Sequence, residues 1–201
     1  MAQQIEIEFK NMLTKADFEK LIKGFKLNKG NFKKQVNFYF DTYDFILKQH
    51  KAALRIREKN GLYELTLKEP LGQGLLETTD ILEPVVALDL IKGKTSIPEG
   101  DVYVQLQKYP LQLEQIRLFG SLETERAEVT YEAGLLVFDK SRYFGKVDYE
   151  IEYEVTDIEI GKASFLALLE QYDIPINPAE NKMIRFYKEK QMEHEKRVET
   201  E

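Results

Sequence analysis

The stretch "DYEIEYEV", residues 148–155, alternates without a break. Successive side chains of a β-strand point to opposite faces. Asp148, Glu150, Glu152 and Glu154 therefore share one face, and Tyr149, Ile151, Tyr153 and Val155 the other. Same-face neighbours stand about 7 Å apart. Four carboxylates in such a row repel one another unless cations stand among them. "QIEIEFK", residues 4–10, repeats the pattern, with Ile5, Ile7 and Phe9 opposing Glu6, Glu8 and Lys10.

The middle strands carry the opposite sign. In "ALRIREK" (53–59) Arg55 and Arg57 share a face against Leu54 and Ile56. In "YELTLK" (63–68) Glu64, Thr66 and Lys68 oppose Tyr63, Leu65 and Leu67, and in "LETERAEV" (122–129) Thr124, Arg126 and Glu128 share a face. Eight strands are expected in all, at 4–10, 33–41, 52–59, 62–69, 74–82, 121–132, 134–143 and 146–156. Asn60-Gly61 marks a hairpin, and Ala133-Gly134 and Phe144-Gly145 punctuate a meander. Eight is a strand count at which a sheet closes into a small barrel.

Helical periodicity fills the gaps. Phe18, Leu21, Ile22 and Phe25 fall at i, i+3, i+4 and i+7, behind a cap at Thr14 or Asp17. Phe165, Leu168, Leu169 and Tyr172 do the same in 161–172, and 84–119 reads as helical pieces broken at Pro98 and Pro110. Such helices need apolar surface to cover, and the apolar strand faces supply it. The expected architecture is α+β: an eight-stranded antiparallel closed barrel with helices outside and a charged interior. This inverts the ordinary small barrel, whose interior is apolar. A charged interior is tolerable only if hydrated and balanced, or built for a charged ligand. One domain is expected over 1–190, with a soft midline near 84–119. Residues 191–201 form a charged tail, either a solvated helix end or disordered.

Composition narrows the chemistry. The chain has 201 residues, no cysteine, two histidines (His50 and His194) and a net charge of −6. Thiolate, disulfide and Cys-type zinc chemistry are excluded, and histidine-based chemistry is disfavoured. The acidic balance argues against a general nucleic-acid binder. No apolar run approaches a membrane span and no signal-peptide pattern precedes the first strand, so the expected location is cytoplasmic. Catalysis must rest on carboxylates, lysines, arginines or a bound metal. Paired carboxylates suit Mg²⁺ or Mn²⁺, and clustered Arg and Lys suit phosphates. "GKTS" at 93–96 ends like a P-loop, but Leu88 stands where its first glycine belongs and no strand precedes it.

The ordered set Glu6-Ile-Glu8-Phe-Lys10, "YFDT" (39–42), "LRIR" (54–57), "LTLK" (65–68), Glu77, "TER" (124–126), Asp139, "EIEYE" (150–154) and "NK" (181–182) resembles the CYTH superfamily, the triphosphate tunnel metalloenzymes, and most of all its small bacterial members. The resemblance implies an antiparallel eight-stranded tunnel. Glu6, Glu8, Glu150, Glu152 and Glu154 would hold a divalent metal. Lys10, Arg55, Arg57, Lys68, Arg126 and Lys182 would bind a triphosphate. Asp139 would support a second metal or its attacking water. Many members carry a basic residue where this chain has Thr124, which removes one phosphate contact. Tyr39 and Thr66 read as packing or hydrogen-bond residues, and Asp41 and Thr42 as caps of the following helix.

The activity so implied is a metal-dependent triphosphatase acting on inorganic tripolyphosphate or a nucleoside or organic triphosphate. Lys10 or Lys68 would serve in proton transfer if neighbouring basic groups depress its pKa. A class IV-type adenylyl cyclase or thiamine triphosphatase is the enzymatic alternative, and a polyphosphate- or nucleotide-binding module the non-enzymatic one. The expected partner is a small triphosphate, with neither membrane nor nucleic acid; homodimerisation is left open.

Overall fold

Alternation dictates strands, and all eight form in the computed structural model, which describes residues 3–72 and 74–198. They are β1 (Gln3–Leu13), β2 (Lys33–Asp41), β3 (Ala53–Lys59), β4 (Leu62–Leu71), β5 (Gly74–Leu82), β6 (Arg117–Tyr131), β7 (Gly134–Tyr143) and β8 (Lys146–Val155). They close into a barrel in the order β1-β5-β4-β3-β2-β6-β7-β8, antiparallel at every pairing whose register is resolved. Six α-helices accompany them among the described residues: α1 (Lys15–Gly24), α2 (Ile46–Gln49), α3 (Pro84–Ile91), α4 (Asp101–Leu106), α5 (Ile158–Gln171) and α6 (Lys182–Val198). None of them is long and apolar enough to cross a membrane.

By compactness the chain divides into two units, Met1–Ile7 with Lys34–Ser121 and Glu8–Lys33 with Leu122–Glu201. In the first, Leu54, Ile56, Leu65 and Leu67 pack with Ala87 and Leu90 of α3 and Val102 and Leu106 of α4. Arg55, Thr66 and Lys68 project from the opposite strand faces, as period-2 alternation requires. In the second, Ala127, Leu136, Phe138, Ile151 and Tyr153 pack with Phe18 and Leu21 of α1 and Phe165, Leu168 and Leu169 of α5. Each fully buried side chain of this kind contributes about 1.5–3 kcal/mol. The helices thus cover the apolar strand faces, and buried charge is left on the other side.

Three strands outrun their expected bounds, β4 by two residues, to Leu71 rather than 69. β1 continues to Leu13 although Asn11 puts a polar group on its apolar face. Asn11 is buried and satisfied: its Nδ2 donates to the carbonyls of Met12 (2.9 Å) and Pro175 (3.1 Å), and its Oδ1 accepts from Asn177 N. β6 begins at Arg117 rather than 121, and Phe119 stacks on Tyr39 of β2 at 6.1 Å. α6 runs through to Val198, so 191–198 of the expected tail is helical and 199–201 lie outside the described residues.

Local caps follow the sequence closely. Thr14 caps α1 by accepting from Asp17 N (3.1 Å), and Asp17 returns the bond to Thr14 N. Thr14→Ala is expected to lower stability by about 1 kcal/mol in chemical denaturation. Asp41 accepts from the backbone N of Thr42, Leu47 and Lys48, and Thr42 Oγ1 from Ile46 N, which orders the turn into α2.

Candidate functional site

Register builds the larger charged cluster, which lies in the second unit. Arg126 on β6 stands opposite Asp139 on β7, and Asp139 stands opposite Glu150 on β8. Glu152 follows two residues on, and so shares the face of Glu150. Arg126 grips Asp139 bidentately, Nε to Oδ1 at 2.8 Å and a terminal nitrogen to Oδ2 at 2.6 Å, and reaches Glu152 at 2.8 Å. Lys182, the first residue of α6, meets Asp139, Glu150 and Glu152, the last at 2.8 Å. Lys10 on β1 pairs with Glu8 (2.8 Å) and Glu152 (3.4 Å). Asp139, Glu150 and Glu152 are buried to 0%, 1% and 3% relative exposure, and one carboxylate oxygen from each lies within 4.8 Å of the others.

Burial alone would push all three carboxyls toward the neutral form. At Asp139, Arg126 and Lys182 overcome it and lower the pKa. At Glu152, Lys10, Lys182 and Arg126 do so more strongly. At Glu150 burial wins, reinforced by the like charge of Glu152, and its pKa stays raised despite Lys182 and Arg185. The cations mirror this. Burial disfavours the charge of Lys10, Arg126 and Lys182, but Glu152 at Lys10 and Asp139 at the other two outweigh it, so all three pKa values are raised. The condition set for Lys10 as a proton-transfer group, a depressed pKa, is therefore not met.

A smaller cluster lies in the first unit. Lys68 stands opposite Glu77 in the β4–β5 register and pairs with it, and its ammonium also meets Glu6 at 2.7 Å. Burial opposes the Glu77 charge, but Lys68 and Arg55 hold its pKa down at about 2. Arg55 turns a buried Nε inward that has no hydrogen-bond partner among the described residues. Arg57 faces Asn37 (3.5 Å) and Glu64 (3.9 Å), and Thr66 bonds Thr79 (3.1 Å). A depressed folded pKa stabilises the fold above the unfolded value of about 4.5 and loses that stabilisation as pH falls through about 2. Over this window Glu77 is expected to contribute on the order of 2 kcal/mol, allowing for partial solvent screening. Acid titration of Glu77→Gln should lack that loss.

The expected site residues fall into two groups. Lys10, Arg126, Lys182, Asp139, Glu150, Glu152 and Glu8 come together in one cluster, and Glu6, Lys68, Glu77 and Arg55 in the other. Asp139, expected to support a second metal or its attacking water, lies with Glu150 and Glu152, because the β7–β8 register sets it directly opposite Glu150. Glu154 stands outside that trio, and its charge acts on Arg126. Thr124, the departure from the basic pattern, is fully buried and bonded to Ser141 at 3.1 Å. Arg185 was not foreseen: it binds Glu150 and, through Nε at 3.3 Å, Asp148, which also accepts from the Tyr143 hydroxyl. Its spacing of three from Lys182 on one helix was the available signal.

The residues of both clusters fall within one continuous match to a known domain profile: the CYTH domain matches residues 4–187. The chain belongs to the CYTH domain family. This CYTH chain is 51% identical over 190 residues to "Putative triphosphatase YjbK" of Bacillus subtilis (strain 168), covering 94% of this chain and 98% of that protein. A Bacillus halodurans crystal structure, described as a putative adenylate cyclase, is 41% identical with a TM-score of 0.89, over 93% of this chain and all of that one. HpAC1 from Hippeastrum, described as a putative adenylyl cyclase with a dominant triphosphatase activity, shares the fold at a TM-score of 0.78 and 22% identity, over 91% of this chain and 95% of that one.

Proposed function

We propose that this CYTH protein is a divalent-metal-dependent triphosphatase hydrolysing inorganic tripolyphosphate or a nucleoside or other organic triphosphate. The observation that carries the reading is the buried trio Asp139, Glu150 and Glu152, three convergent hard-oxygen donors ringed by Lys10, Arg126 and Lys182. Relatedness to a protein named as a triphosphatase points the same way.

Oxygen donors at this spacing fit Mg²⁺ or Mn²⁺. Asp139, Glu150 and Glu152 would hold the ion, with Glu8 and Glu154 from the neighbouring strand positions. Bound there, it would neutralise phosphate charge and acidify a water. The chain's own cations do the rest. In the described arrangement Lys182 and Arg126 spend their hydrogen bonds on the carboxylates. With those carboxylates engaged elsewhere, the two side chains transfer their donors to phosphate oxygens, where an arginine binds bidentately. Arg55, whose buried Nε has no hydrogen-bond partner among the described residues, offers a further donor, and Arg57, Lys68 and Lys10 extend the cationic set. Charge developing on the leaving phosphate in the transition state would be met by Arg126.

The cyclase description of the 41% identical structure supplies the second reading, in which the same charges act on a ribose hydroxyl and release pyrophosphate. Product analysis separates the two. Purified protein is incubated with tripolyphosphate, ATP and thiamine triphosphate in Mg²⁺, in Mn²⁺ and in excess chelator. Orthophosphate release that the chelator abolishes is expected. Cyclic AMP with pyrophosphate from ATP would favour the cyclase, and metal-dependent binding without turnover would overturn both.

A further inference from the structure

Between Glu19 and Asp41 the chain carries six lysines, no arginine and no acid, whereas the rest holds 23 basic against 35 acidic residues. Lys20 is used structurally, its ammonium bonding the carbonyls of Tyr172 (2.8 Å) and Asp173 (3.4 Å) past the end of α5. Lys23, Lys26, Lys29 and Lys33 are exposed, and no carboxylate pairs with them among the described residues. The acids of α1 are occupied: Asp17 closes the capping box, and Glu19 lies 3.6 Å from Lys15. The apolar residues of the stretch face inward. Phe25 packs on Tyr131, Phe138 and Tyr172, and Phe32 on Phe18. Four uncompensated ammonium groups thus recur every third or fourth residue along the α1–β2 connection of an acidic protein.

We propose that Lys23, Lys26, Lys29 and Lys33 form a docking strip for long-chain inorganic polyphosphate, separate from the charged clusters of the barrel. The kind of partner follows from what the strip lacks. It has no arginine for bidentate reading of base edges and no exposed aromatic ring on which a base would stack. It has no exposed apolar side chain to enter a bilayer. What remains is a row of point charges suited to a featureless linear polyanion. The choice of a phosphoanhydride chain rests on the triphosphatase reading above. The strip would hold the body of a polymer whose short relative the barrel hydrolyses.

The test measures binding of medium-chain inorganic polyphosphate with metal chelated and no tripolyphosphate present, wild type against variants, so that any contribution of the barrel is common to every arm and cancels. Four phosphate contacts predict affinity falling about 50-fold or more between roughly 50 and roughly 200 mM salt. Simultaneous Lys23→Gln, Lys26→Gln, Lys29→Gln and Lys33→Gln should weaken low-salt binding by a similar factor, with tripolyphosphate hydrolysis unchanged. A control with Lys92→Gln, Lys94→Gln and Lys162→Gln should bind like the wild type. Equal polyphosphate binding by the fourfold variant would overturn the proposal. So would tighter wild-type binding to anionic vesicles, or to duplex DNA at matched phosphate concentration. Absence of tripolyphosphate hydrolysis in the wild type would instead count against the triphosphatase reading and leave the binding result to stand or fall by itself.

Discussion

Glu152→Gln is expected to lower triphosphate turnover by more than about 100-fold while the protein remains folded. Loss of a residue that merely orients a metal ligand costs about 10–100-fold, and Glu152 sits inside the carboxylate trio itself. Lys10, Lys182 and Arg126 also hold it ionised against burial. Glutamine keeps an oxygen acceptor for those cations but removes the charge that would hold a divalent ion. Glu6→Ala should abolish turnover as well, whereas Glu19→Ala, on the exposed face of α1, should not. Steady-state phosphate release at saturating Mg²⁺ decides the matter, and full activity in Glu152→Gln would remove the metal assignment.

Lys182→Met is expected to cost both stability and activity. Its ammonium meets Asp139, Glu150 and Glu152 together. Removing one partner of a buried ionic group strands the other charges, typically at about 3–5 kcal/mol. Arg126, Lys10 and Arg185 still face the trio, which places the expected loss at the low end of that range, with a fall in Tm of about 10 °C. Lys182→Arg, which keeps the charge, should recover most of the stability. A fully stable Lys182→Met protein would show that the helix start is held by its apolar contacts instead, through Met183 and Phe186.

How much of this could be read from the chain depends on the kind of signal. Alternation gave the eight strands, because a strand with one buried apolar face must repeat every second residue. It faltered at Asn11, where a polar residue on the apolar face is satisfied by the backbone of residues 175–177, a partner more than 160 positions away. It also began β6 too late, because Gly120 interrupts the pattern just where Phe119 finds Tyr39. The charged residues were visible as types on faces, but their grouping was not. Which carboxylate meets which cation is set by register, and register set Asp139 against Glu150 and Lys68 against Glu77. Lys182 had no strand pattern to place it, and only α6 turns it inward; Arg185 came with it for the same helical reason.

In the proposed enzyme the inner acids hold a divalent ion while the inner bases hold the triphosphate. Anomalous diffraction from crystals grown with Mn²⁺ and tripolyphosphate tests it most directly. A manganese peak bounded by Asp139, Glu150 and Glu152, with phosphates against Arg126 and Lys182, is the expected result. Manganese bound elsewhere, with Lys182 and Arg126 still tied to the three carboxylates, would contradict it.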